Sequence, residues 1–277
     1  MTEFSIVLLV ALALTEGATI ATSVYLHRAL AHRSLVLHPV ADLALRAVLW
    51  ITTGQDRRQW VAVHRKHHAF TDREGDPHSP RLLGFWHVQF LNVYYYARAA
   101  RDPRTLERFA ADLPHDRLDR VLFSWGWAGL GLGTTALCLL LGVWPGLAVA
   151  LTHAVLYVLV VAPLINGLGH WRGAQNFDNT ARNSRWLAWL TAGESLHNNH
   201  HAYPGSPKFS VGRIEFDPSW PVIRALAAVG LAEVTGTPAT LPASTPPAAR
   251  DNRQGTPGLH PRPLGRVTPA PTGASGK

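Results

Sequence analysis

The sequence predicts an all-α integral membrane protein with three spans, interfacial helices and a cytoplasmic region rich in histidine. Three observations carry that expectation. Of the 277 residues, 47% are hydrophobic and only 16% are charged. The apolar residues fall in long uninterrupted runs, as in a chain that meets lipid. Most of the 15 histidines stand beside those runs, in tight groups at helical spacing.

The first run, FSIVLLVALALTEGATIATSVYL, covers residues 4–26 and holds one full charge, Glu16. Its length meets the roughly 20 apolar residues that a lipid-crossing helix needs. A secretory signal would carry a basic cluster before it and a small-residue cleavage site after it. Glu3 stands in the first place and no such site in the second, so the segment is expected to persist as a span. Next, HPVADLALRAVLWITTG (38–54) has helical periodicity, but Arg46 interrupts it. Only about 14 to 16 residues separate its polar ends, which fits an interfacial helix better than a crossing. Residues 81–120 mix an aromatic run, FWHVQFLNVYYYARAA, with a charged helical pattern.

The stretch from 121 to 167 is free of charge and long enough to cross twice, with GVWPG (142–146) as the turn. Spans are therefore expected at 121–142 and 144–167, and the regions 27–120 and 168–235 on the cytoplasmic side. WPVIRALAAVGLAEV (220–234) reads as a short amphipathic helix at the surface or interface. A single membrane domain is thus expected over 1–235. Residues 236–277, dense in Pro, Gly and Thr, read as a disordered tail.

A net charge of +8 could indicate nucleic acid. Here the cations flank apolar segments instead of forming a basic domain, which is the pattern of a cytoplasmic membrane face. The partner expected from charge is the lipid bilayer, with no nucleic acid. The single cysteine, Cys138, lies inside a predicted span, so neither a disulfide framework nor a thiolate metal site is expected.

Any metal must then be held by histidine. HRALAH supplies His27 and His32, HRKHH supplies His64, His67 and His68, NGLGH adds His170, and HNNHH supplies His197, His200 and His201. Spacing of i, i+3, i+4 sets three rings on one face of a helix. His27 and His32, five apart, stand about 140° apart on an ideal helix. They converge only if the helix ends between them or if they serve different metals. Eight or nine imidazoles exceed one tetrahedral zinc site and match two metals of higher coordination, without naming the element. His153 reads as a helix-contact residue, and His38, His87, His115 and His260 fall outside the pattern.

In their order HRALAHR, HRKHHAFTD and HNNHH, these groups resemble the three histidine boxes of the membrane fatty-acyl desaturases, specifically the acyl-CoA (stearoyl-CoA-like, delta-9) branch. The resemblance runs from the first span to Phe216. It implies a non-haem di-iron centre on His27, His32, His64, His67, His68, His170, His197, His200 and His201, with Asn166 reaching one iron through water. Asp72, Asp76 and His78, which follow the second box, and Glu194, three residues before His197, are candidates to orient ring nitrogens. Animal members of this branch carry a further span before the first box, so the N-terminus here is expected outside the cytoplasm.

The implied reaction is O2-dependent insertion of a cis double bond, at carbon nine by similarity, into a long-chain acyl thioester, with coenzyme A as the expected carrier and acyl carrier protein or phospholipid left open by the sequence. The chain shows no flavin or nicotinamide loop and no cysteines for an iron–sulfur cluster, so electrons must come from a ferredoxin with its reductase or a cytochrome b5-like donor. Arg57, Arg58, Arg65, Lys66 and Arg73 are candidates for holding a phosphate-bearing headgroup. A hydroxylase or acetylenase on the same centre is the alternative, and a non-catalytic metal-binding membrane protein the remote one.

Overall fold

A computed structural model describes residues 2–241. Thr2 opens the first helix, its Oγ1 accepting from the Ser5 N–H at 3.3 Å. With no proline to stop it, helix α1 runs from Glu3 to Ala31, about 44 Å at 1.5 Å per residue. That exceeds the roughly 30 Å of a hydrocarbon core, so one end of α1 stands clear of any apolar layer. From Thr22 the helix widens into π turns.

Helix α2 covers Pro39–Thr52, started by proline at its first position and by His38 Nδ1, which accepts from the Val40 N–H. Its Arg46 is buried, and the guanidinium pairs with Asp116 at 2.8 Å and with Asp119. Helix α3 (Arg57–Phe70) is capped by Asp56. Arg57 joins the same pair of carboxylates, 2.6 Å from Asp119 and 3.1 Å from Asp116. Arg65 donates to the carbonyls of Leu30 (2.8 Å) and Ala31 (3.0 Å) and to Asp112 (2.6 Å). Its guanidinium therefore caps the open carbonyls at the end of α1 and fixes α3 there.

Helix α4 (Phe85–Ala100) is bent at Leu91, and α5 (Pro103–Phe109) follows from the Asp102 cap. Where a span is expected at 121–142 the structure has α6, Gly126–Leu141, which starts after a π turn over Asp119–Phe123 and, with only 16 residues, falls short of a crossing length. Gly142, at φ 92°, turns the chain into α7, Val143–His170. Two helices, α1 and α7, are thus long and apolar enough to cross a membrane. Helix α6 lies against α2 through Gly129 and Gly133: a Cβ on either would strike the carbonyl of Trp50 or Ile51. Leu139, Leu140, Trp144 and Leu151 are exposed on the outer surface of this bundle, the reverse of a soluble core.

The second layer closes over the ends of α1 and α7. It contains α3, α4, α5, a short helix α8 (His197–Ala202) and α9 (Ser219–Ala228). The helix expected over 220–234 stops at Ala228, and Ala232–Val234 instead forms strand β2, paired antiparallel with strand β1, Leu35–Leu37. Among the described residues this two-stranded sheet departs from the all-α expectation. Beyond it, the Gly236 N–H donates to Ser34 O and the Ala239 N–H to Ser206 Oγ, so the start of the expected tail is tied to the fold. Residues 242–277 of that tail, with His260, lie outside the described residues.

Candidate metal centre

The nine box histidines form two groups. His27, His32, His64, His68 and His200 make one; His67, His170, His197 and His201 make the other, and within each group the ligand atoms lie within 4.8 Å of one another. Helical spacing explains the partition. On α3 the i, i+4 pair His64 and His68 serves the five-membered group while His67 turns to the other. On α8 the i, i+4 pair His197 and His201 serves the four-membered group while His200 turns away. Each triplet thus feeds both groups, where the spacing alone predicted one common face.

His27 and His32 both enter the five-membered group, their ring centroids 4.9 Å apart, and α1 ends between them, at Ala31, with His32 as its cap residue. The π winding of α1 is the reason: the His32 N–H bonds the His27 carbonyl at 3.0 Å, and an i to i−5 bond lines up residues five apart. The sequence allowed the two to converge if the helix ended between them, and it does, at Ala31.

Within the groups the Nε2 atoms face one another: His27 to His200 at 3.0 Å, His32 to His64 at 2.8 Å, His200 to His68 at 2.9 Å, His67 to His170 at 3.1 Å and His201 to His197 at 3.1 Å. On the far side of four of the rings the Nδ1 atom is engaged. His27 Nδ1 lies 2.5 Å from Glu194, His67 Nδ1 3.0 Å from Asp76, His170 Nδ1 3.0 Å from Asp72, and His197 Nδ1 3.2 Å from the Glu194 carbonyl. An Nδ1–H that donates to an oxygen leaves a lone pair on Nε2. Converging lone pairs repel unless a cation lies among them. Two nitrogens bound at right angles to one metal, each at about 2.1 Å, stand about 3 Å apart, so the residues present fit two metal ions.

Electrostatics agree. Burial holds His32, His64, His68, His197, His200 and His201 well below the ordinary imidazole range, so these rings are neutral, as ligands must be. Burial opposes ionisation of Asp72, yet its hydrogen bond with His170 keeps it well below the usual carboxylate range. His78 stacks on His67 at 4.6 Å and is pushed down to about 3 by burial.

A sequence model described as Fatty acid desaturase matches residues 4–215. The chain belongs to that family. Its curated relatives include Delta-9 acyl-lipid desaturase 2 of Arabidopsis thaliana, 35% identical over 74% of this chain and 67% of that protein. The sn-2 palmitoyl-lipid 9-desaturase of Nostoc sp. (strain 36) is 30% identical over 75% and 73%. The Hex-5-enoyl-[acyl-carrier protein] acetylenase of Moorena producens (strain JHB) is 29% identical over 76% and 71%.

Around the desaturase's two groups, Asp72, Asp76 and Glu194 each meet a ring nitrogen, and Arg28, fully buried, joins Glu194 (3.2 Å) to Asp217 (2.8 Å). Asn166 donates to Asn92 Oδ1 at 3.1 Å. Of the cations singled out in the sequence, Arg57 and Arg65 are committed to internal pairs and Arg58 approaches the Ala110 carbonyl. Arg73 lines a cleft of about 640 Å³ that opens onto His32, His68 and His201, and Lys66 lines one of about 430 Å³ beside Asp76 and Arg98.

Sequence reasoning missed the asparagines inside the third box. Asn198 accepts from the N–H groups of Asn176 and Phe177 and donates to Phe177 O and Asn179 Oδ1. Asn199 donates to Phe209 O and Glu215 and accepts from Asn176 and Asn183. Both are buried. The signal was present: two buried carboxamides on a six-residue helix demand partners.

Proposed function

We propose that the two histidine groups hold two iron ions and that the protein inserts a cis double bond at carbon nine of a long saturated acyl chain. The observation that carries this reading is the convergence of Nε2 atoms in two sets, with Nδ1 atoms held by Glu194, Asp76 and Asp72. Bound iron supplies O2 activation, which an unactivated methylene requires and no side chain provides. One O2, two external electrons and two protons accept the two hydrogens removed, giving the alkene and two waters. The electron donor is a ferredoxin with its reductase or a cytochrome b5-like protein.

The chain's own residues set the conditions. Glu194, Asp76 and Asp72 fix the tautomers of His27, His67 and His170, and burial excludes protons from the rings. Asn166, one turn before His170, contacts the four-histidine site through water. Helices α1, α6 and α7 cross the membrane, α6 where the bilayer is thinned, and the two groups face the cytoplasm. The names of the relatives favour a lipid-bound acyl chain over the coenzyme A thioester expected from the boxes. With Arg57 and Arg65 committed internally, headgroup contact falls to Arg73 and Lys66.

Iron-loaded protein given O2, a reductant and stearoyl chains on a phospholipid, coenzyme A or acyl carrier protein is expected to yield a product two hydrogens lighter, with the lipid-bound chain converted fastest. A product heavier by one oxygen would replace desaturation with hydroxylation. The acetylenase relative motivates one further arm, a monounsaturated chain, where loss of two hydrogens from the existing double bond would assign a triple-bond activity.

A further inference from the structure

The two histidine groups are unequal, five imidazoles against four, so the smaller offers one nitrogen fewer. On the side where α7 ends, helix α4 presents two carboxamides to the last residues of α7. Asn92 is 6% exposed, and its Oδ1 takes a hydrogen from Asn166 Nδ2 at 3.1 Å. One turn earlier, Gln89 Oε1 is buried without a partner. A Cβ placed on Gly167, which lies between Asn166 and His170, would stand 3.3 Å from that oxygen, so the Gln89 carboxamide abuts the backbone joining the two residues. The bend at Leu91 lies between Gln89 and Asn92.

These facts share one explanation. A buried amide oxygen without a donor costs about 1 to 3 kcal/mol, and in an apolar helix face the usual remedy is an ordered water with two or more polar partners. Asn166 uses its amide hydrogens on Asn92, so its own oxygen is turned toward some other donor. Resting on the di-iron reading above, we infer that Gln89, Asn92 and Asn166 together bind the water that completes the four-histidine site, Asn92 orienting Asn166 and Gln89 accepting one hydrogen of that water. Asn92 and Gln89 are positioning residues: they act through the water and through Asn166.

The test compares Asn92→Leu, Asn92→Asp and Gln89→Met with the unaltered protein, all loaded with iron, by iron content, Mössbauer spectrum and turnover. Asn92→Leu removes the acceptor while keeping the heavy-atom count and branching, whereas Asn92→Asp keeps the acceptor. The expected result is full iron content in all, with one of the two iron signals shifted and turnover lowered about 10-fold in Asn92→Leu. Gln89→Met should shift the same signal, and Asn92→Asp should retain the parental spectrum. An unshifted spectrum in Asn92→Leu, or equal shifts in its Leu and Asp forms, overturns the inference. If the unaltered protein binds no iron, the di-iron reading itself fails, an outcome distinct from a normal parent with silent variants.

Discussion

Glu194 illustrates how much each ligand depends on the residue behind it. Its carboxylate lies 2.5 Å from His27 Nδ1, receives Ser23 Oγ and pairs with Arg28 at 3.2 Å, all buried. Glu194→Gln is expected to weaken metal binding about 10 to 100-fold, read as faster iron loss to a chelator. His200→Ala should lower bound iron and abolish turnover, while His115→Ala, altering a residue beside Asp56 and in neither group, should leave both intact. Full iron and activity in His200→Ala would remove the basis of the ligand assignment. Asn198→Ala strands several backbone groups, each worth about 1 to 3 kcal/mol if left without a partner. Its signature should be a lower unfolding temperature together with substoichiometric iron. At this scale the sequence displays the histidines themselves, because i, i+3, i+4 spacing survives in any α-helix. It hides their division, since that depends on the direction from which α3 and α8 approach, and it hides the pairing of His27 with His32, since π winding leaves no mark in residue spacing.

Among elements, the apolar runs at 4–26 and 144–167 are legible because hydropathy and length suffice to specify them. The short α6 is less so: GWAGLG can be lipid-facing or helix-facing, and only the contact with α2 shows why glycine recurs there. Replacing Gly133 with Val would push a side chain into the Ile51 carbonyl. Destabilisation of about 1 to 3 kcal/mol, as for other overpacked contacts, should appear as a lower midpoint in detergent. Placement of α2 on the same side as its flanking histidines is tested by labelling single cysteines near Ala29 and Asp56 in a Cys138→Ser background. Both should react from one face, and reaction from opposite faces would make α2 a crossing. The β1–β2 pair joins residues 35–37 to 232–234, and the intervening sequence gives no sign of it, because strands of three residues carry almost no periodic signal.

For the molecule as a whole, the clamp of Arg46 and Arg57 on buried Asp119 and exposed Asp116 joins α2 and α3 to the chain leading into α6. The Arg46 hydrogen bond holds Asp116 well below the ordinary carboxylate range, and although burial opposes it, Arg57 holds Asp119 below that range too. A carboxylate with a lower pKa folded than unfolded stabilises the fold above its unfolded value, and this contribution is lost as pH falls. Stability should therefore decline from about pH 5 downward. Asp119→Asn should flatten that decline and cost about 3 to 5 kcal/mol near neutrality, since it leaves buried arginine underpaired. The contact between His27 and His200 spans 173 positions of chain, and it bears on biosynthesis. At about 5 to 20 residues per second, roughly 10 to 35 s separate the emergence of the first ligand from that of the last. Through that interval the early histidines have no complete site to occupy, so on the di-iron reading metal insertion is a late event of maturation, and a nascent chain stopped before residue 200 should leave the ribosome without either iron.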